Sequence, residues 1–213
     1  MRTDDLIAAL SDEPAPVSRL AMAGWIAAGL GLGITGSMVL MMTTIGVRPD
    51  LGPAMASSAF WMKFLYTLAL AGLGVWIVNR VGRPGASATR PMLLLMLPLI
   101  AILALASAEL GAAGGAERRV LLMGRSANVC GLLIAFLSVP LFGGLFWAMR
   151  KMAPTRPRLG GAAAGLLAGS VAATLYAFHC PESAAPFVAV WYTSGILLTT
   201  AVGALLGGRL LRW

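Results

Sequence analysis

Charge is what this chain has least of. Only 11% of its 213 residues are charged, against about 25% in soluble domains. A shortage of that size, spread along the chain, excludes an ordinary water-soluble domain and points to a polytopic membrane protein. Acidic residues number eight and histidine one, which argues against hydrolase chemistry. The sequence has no H-E-x-x-H, no glycine-rich loop between strand and helix, and no paired carboxylates in a plausible cleft. It reads as a non-enzyme, and no cofactor is expected. The two cysteines are not spaced as C-x-x-C, so a thiol oxidoreductase is poorly supported. With the histidine they make three candidate ligands, too few for a closed structural zinc site unless another group joins.

Apolar residues, 59% of the chain, fall into long runs. Stretches of about 17–25 residues are needed to cross a hydrocarbon core of about 30 Å. Such runs extend from Leu20 to about Ile45, Ala56 to Val78, Pro91 to Ala113, Asn128 to Met149, Leu159 to Phe178 and Ala184 to Leu206. The expected fold is therefore all-α, a bundle of about six transmembrane helices over residues 20–213, preceded by a tail over residues 1–19. Barrel strands would alternate over about 10 residues instead. The tail is polar and acidic, unlike a cleavable leader.

The formal net charge of +8 is explained by topology rather than by nucleic acid. Positive residues sit in short clusters between the apolar runs. One side holds Arg2 and Arg19, then Arg80, Arg83 and Arg90, then Arg150, Lys151, Arg156 and Arg158, then Arg209 and Arg212. The other holds Arg48, Arg118, Arg119 and Arg125. The first set is richer, so both termini are expected in the cytoplasm of a multi-pass inner-membrane protein. The segment Gly114 to Ala127, which carries three of the opposing arginines, reads as an interfacial helix. Glycines recur at four-residue spacing: Gly29 and Gly33, then Gly161, Gly165 and Gly169, then Gly203 and Gly207. Such spacing lets helix backbones approach closely in lipid. Packing within one bundle is the plain explanation, and a homo-oligomer stays open.

Cys130 opens the fourth run, and Cys180 follows the fifth beside His179. Both fall on the outer side, where a disulfide is permitted. Cysteine and histidine are also soft or borderline metal ligands, and cysteines can equally pack as small hydrophobes. Lys63 and Glu109 lie inside apolar runs at similar depth from the outer end. Intramembrane charges are costly and usually face a partner or a cavity, so an ion pair between them is the economical expectation. Snorkelling of Lys63 competes with it.

The tail differs in kind, holding Asp4, Asp5, Asp12 and Glu13, half of all the acids. Thr3 suits an N-cap, with Asp4 and Asp5 in the first turn where the helix dipole favours them. Leu6, Ile7 and Leu10 then share one face, and Pro14 and Pro16 end the helix. A short helix with an apolar stripe and acidic flanks suits docking into a groove on a basic partner.

Three stretches, MRTDDLIAAL, GLLAGSVAATLYAFHCPE and FVAVWYTSGILLTTAVGALLGGRLLRW, resemble the NrsF-type family of membrane anti-sigma factors over essentially the whole chain. The most specific pieces are the HCPE segment, His179 to Glu182, and the run Phe187 to Tyr192. The resemblance implies a six-span inner-membrane protein that sequesters an extracytoplasmic-function sigma factor. It also implies that Cys130 and Cys180, beside His179, form a pair responding to heavy-metal or oxidative stress. Thr3, Asp4, Asp5, Leu6, Ile7 and Leu10 would carry sigma binding. The H-x-x-x-C-x-x-C pattern of soluble zinc-binding anti-sigma domains is missing. A small metal or solute transporter using the outer-side polar residues is the alternative, and a structural subunit of a larger membrane complex a third reading.

Overall fold

A computed structural model describes residues 2–11, 20–83 and 85–212, and among these the regular structure is helical throughout. The tail forms α1, Thr3–Ser11, with Asp4 and Asp5 in its first turn. Thr3 is the first helical residue rather than the cap, and the Arg2 amide donates to the Asp5 carboxylate at 3.3 Å. Asp12, Glu13, Pro14, Pro16 and Arg19 lie outside the described residues.

Among the described residues, six helical segments are long and apolar enough to cross a membrane. The first is α2, Ala21–Thr44. A short α3, Leu51–Met55, leads to α4, Ser58–Val81, whose N-cap Ser57 accepts from the Phe60 amide. The third segment is broken into α5, Thr89–Leu94, and α6, Met96–Ala112. Pro98 explains the break, because it offers no N–H to the carbonyl four residues back. The helix expected between Gly114 and Ala127 is α7, Gly115–Met123, ending at Gly124 with φ +48°. The fourth segment continues as α8, Ala127–Leu137, and α9, Val139–Met152. It bends at Ser138, ahead of Pro140, and Ser37 of α2 donates to the Leu137 carbonyl there at 2.7 Å. The fifth is α10, Pro157–Tyr176. The sixth comprises α11, Ala185–Phe187, a π turn at Val188–Tyr192, and α12, Thr193–Leu210.

Helix α10 is the most enclosed of the six and packs against α4, α8, α9 and α12. Its glycine face explains why. An added Cβ at Gly161 would collide with the Gly203 carbonyl and lie 2.6 Å from the Gly207 Cα. Gly165 and Gly169 meet Thr199 in the same way. Gly29 of α2 lies against Gly144 of α9, and Gly33 against Leu141. The glycine spacings seen in the sequence are thus spent on contacts within one chain. The outward surface is apolar, with Leu32 71% and Leu205 74% exposed. Large continuous apolar surface is rare on soluble monomers.

Candidate functional site

The HCPE segment is the hub at one end of the bundle, and five elements hold it. Its entry is set by α10, because the Cys180 amide closes onto the Tyr176 carbonyl at 2.9 Å. Pro181 then supplies no N–H, which stops the helix. From the α2–α3 loop, the Arg48 amide donates to the Phe178 carbonyl at 3.1 Å. The Arg48 side chain grips Asp50 through Nε at 2.7 Å and Nη2 at 2.6 Å, leaving Nη1 to donate to the Cys180 carbonyl at 3.3 Å. This hydrogen-bonded pair holds the Asp50 carboxyl below its usual range and raises the guanidinium. From α4, Lys63 donates to the Cys180 carbonyl at 2.9 Å and the Glu182 carbonyl at 2.7 Å. From the α7–α8 turn, the Arg125 amide donates to Glu182 Oε1 at 2.8 Å, and the carboxylate packs where a Cβ on Gly124 would stand. From α6, Glu109 Oε2 accepts from the Ala185 amide at 3.0 Å.

These contacts correct the expected ion pair. Lys63 and Glu109 meet the same loop at different points, and the ion pairs among the described residues do not include them. Lys63 is fully buried rather than snorkelling. The reason is that a turn closed by a proline exposes carbonyls and amides that the loop itself cannot satisfy, and each must find a partner. Lys63 supplies donors to the carbonyls, and Glu109 supplies an acceptor to an amide. Glu109→Gln, which keeps an acceptor, is therefore expected to cost less than about 1 kcal/mol in detergent unfolding. Glu109→Leu orphans the Ala185 N–H and is expected to cost about 1–3 kcal/mol. Equal losses in the two variants would mean that the negative charge matters, as an ion pair requires.

The two cysteines are brought together. Both are free and fully buried, one on α8 and one in the loop. The Cys130 thiol faces the Cys180 thiol, and the Ser126 hydroxyl lies 3.9 Å from the Cys180 sulfur. That neighbouring thiol, followed by the Lys63 charge, lowers the Cys180 thiol below its ordinary range against the opposing effect of burial. His179 goes elsewhere: its Nδ1 faces the Gly46 carbonyl at 2.9 Å. A carbonyl only accepts, so Nδ1 carries the hydrogen. Among the described residues no three His, Cys, Asp or Glu side chains gather as a metal site.

Sequence reasoning missed the aromatic members of this cluster. Tyr176 and Tyr192 are buried with ring centroids 5.7 Å apart, and Lys63 Nζ stands 5.7 Å from the Tyr192 ring centre. The π turn presents Tyr192 here, and Trp191 pins that turn by donating to the Leu122 carbonyl at 2.9 Å. Such turns inside helices occur frequently at functional sites. The run Phe187 to Tyr192 was conspicuous in the sequence, but its π geometry has no simple periodic signature. By contrast, α1 carries Asp4, Asp5 and Ile7 on exposed positions, with Ile7 59% exposed. The side chains of Leu6 and Leu10 lie outside the described set.

Comparison with known proteins agrees with the resemblance noted in the sequence. The family model described as "Negative regulator of sigma F" matches residues 10–213. The chain is 43% identical over 213 residues to a probable anti-sigma-F factor NrsF of Azospira oryzae, covering all of both chains. It is 39% identical over 221 residues to the anti-sigma-F factor NrsF of Caulobacter vibrioides, again covering both completely. No solved structure matches. A match spanning the helical bundle, together with two full-length relatives, shows that the chain belongs to the NrsF family of negative regulators of sigma F.

Proposed function

We propose that the protein is a multi-pass inner-membrane anti-sigma factor that sequesters an extracytoplasmic-function sigma factor and releases it when the Cys130–Cys180 pair reacts under oxidative or heavy-metal stress. Both termini lie in the cytoplasm, and α1 is the sigma-binding element. Family membership over the bundle and two full-length relatives carry the anti-sigma reading. The stress reading is supported by the joined thiols, since two buried cysteines on separate elements form a natural oxidation pair. Thiol oxidation stands ahead of metal coordination, because only two sulfurs meet and His179 is engaged by Gly46. The charge asymmetry between the two ends supports the orientation. A small transporter would want polar groups free near mid-depth. The buried hydroxyls of Thr67, Ser170, Thr174 and Thr199 instead donate to carbonyls of their own helices.

The test is capture of the full-length protein from solubilised membranes. A sigma factor is expected to co-purify from unstressed cells and to be lost after treatment with peroxide or a thiophilic metal. Cys130→Ser and Cys180→Ser are each expected to keep the partner under both conditions. Absence of any sigma factor would overturn the anti-sigma reading. Normal release from both cysteine variants would overturn the sensor reading, and a phosphatase active after Trp213 would overturn the orientation.

A further inference from the structure

The buried charge of Lys63 has an unusual setting. Its side chain is fully buried, and its two hydrogen bonds go to backbone carbonyls rather than to a carboxylate. The two nearby carboxylates are committed elsewhere, Glu182 to the Arg125 amide and Glu109 to the Ala185 amide. A buried cation that meets only dipoles retains much of its desolvation cost, and a facing anion would offset it. The group placed to supply that anion is a thiol. Lys63 grips the Cys180 carbonyl, and its charge reaches the Cys180 sulfur. A second observation points the same way. The hydroxyl of Tyr192 is the one buried side-chain oxygen or nitrogen among the described residues without a hydrogen-bond partner. Buried polar atoms rarely stay unpaired without a reason. This hydroxyl neighbours Cys180, and an O–H beside a thiolate is a ready donor.

We propose that Lys63 and Tyr192 act as positioning residues that hold Cys180 as a thiolate, making it the thiol that reacts first, with Cys130 as the resolving thiol. Other charged or titratable groups around Cys180 come from every packed element: Arg48 on its carbonyl, Cys130 from α8, and Tyr176 from α10. Of its chain neighbours, the His179 and Glu182 side chains are engaged by Gly46 and Arg125, while the Glu182 amide faces the Cys180 thiol. The downward displacement of the Cys180 thiol agrees with this assignment.

A hydroperoxide oxidises the pair in two displacements. The Cys180 sulfur attacks the distal oxygen, an S–O bond forms, the O–O bond breaks, and the leaving oxygen takes up a proton. Cys180 is then a sulfenic acid. The Cys130 sulfur attacks the Cys180 sulfur, the S–O bond breaks, and hydroxide leaves with the Cys130 proton as water. Two thiols lose two electrons in all, and the peroxide gains them. The disulfide is neutral, so Lys63 loses its counter-charge at the moment of sensing. That consequence rests on the sensor reading above, whereas the assignment of the reactive thiol does not.

The experiment is the pH dependence of thiol modification in the reduced full-length protein, held in lipid nanodiscs. A small methanethiosulfonate reagent is used, and each cysteine is followed by peptide mass spectrometry. Because a thiolate's nucleophilicity falls with its pKa, the midpoint of the rate–pH curve is the readout rather than the rate at one pH. Cys180 is expected to show a midpoint well below that of an ordinary thiol at about 8.5. In Lys63→Met the midpoint is expected to rise by about one unit or more, and Lys63→Arg to restore part of it. Tyr192→Phe removes only the hydroxyl and is expected to raise the midpoint by less. A lower midpoint for Cys130, or an unchanged Cys180 midpoint in Lys63→Met, overturns the proposal. If Lys63→Met does not fold, an unchanged midpoint in Tyr192→Phe overturns it instead. A low Cys180 midpoint in a protein that keeps its sigma factor after oxidation would refute the sensor reading and leave this assignment standing.

Discussion

Gly161→Leu is expected to leave no folded protein, whereas Gly31→Leu is expected to be accepted. Both glycines lie on long apolar helices and look alike in the sequence. At Gly161 an added Cβ would strike the Gly203 carbonyl and stand 2.6 Å from Gly207 Cα and 2.9 Å from Gly207 N. These are backbone atoms, so no rotamer change can make room. The contact is also reciprocal and repeated: Gly203 meets the Gly161 carbonyl, Gly207 meets the Pro157 carbonyl, and Gly165 meets the Thr199 backbone. A leucine here must separate α10 from α12 along much of their length. Overpacking of rigid neighbours costs about 3 kcal/mol or more, and helix association in lipid depends on close packing rather than on hydrophobic burial. At Gly31 nothing lies within 4 Å of the Cβ position and the residue is exposed. There leucine gains helix propensity of up to about 1 kcal/mol. Size-exclusion of detergent-solubilised protein, followed by thermal unfolding, separates the cases. A monodisperse Gly161→Leu protein with ordinary stability would mean that α10 does not pack on α12 through this face.

The same helices show which parts of the fold could be read in advance. Six helices long and apolar enough to cross a membrane were legible because a bilayer demands length and apolarity, and both are local properties of sequence. The structure moves their ends by only a few residues, as at Ala21–Thr44 and Pro157–Tyr176. That a helix, α7, would form here was legible from an arginine-rich stretch between the long apolar runs. Partners across the bundle were harder. The spacing of Gly29 and Gly33 announced a close contact, but nothing local identified Gly144 and Leu141 of α9 as its other half. Lys63 was the hardest case. Two charges at equal depth invited pairing, yet both were recruited by backbone groups, which carry no distinguishing letter in a sequence. Cys130 and Cys180 were recognisable as a pair from family resemblance. The buried tyrosine beside them depended on a π turn that shifts the helix face by one residue.

Leu6→Ala with Leu10→Ala is expected to switch the target regulon on constitutively while the bundle still inserts. The proposal that α1 holds the sigma factor rests on its form: a nine-residue helix, acidic in its first turn, ahead of α2. Its first seven residues precede the segment matched by the family model, which starts at residue 10, although both relatives align over the full chain. Burying a leucine or isoleucine is worth about 1.5–3 kcal/mol, so an apolar stripe of Leu6, Ile7 and Leu10 would supply most of the affinity. Losing most of two leucine side chains would weaken binding by about 3 kcal/mol or more, over a hundredfold. Exposed acids act mainly on association rate and salt dependence. Asp4→Asn with Asp5→Asn is therefore expected to slow association and weaken repression less. Reporter activity in cells checks the first effect, and association rates at two salt concentrations check the second. If a protein lacking residues 1–11 inserts normally and still represses fully, binding must lie elsewhere on the cytoplasmic face. The arginine-bearing stretches 80–90 and 150–158 are then the segments to mutate. Each joins two of the long apolar helices on the side that the proposed orientation puts in the cytoplasm.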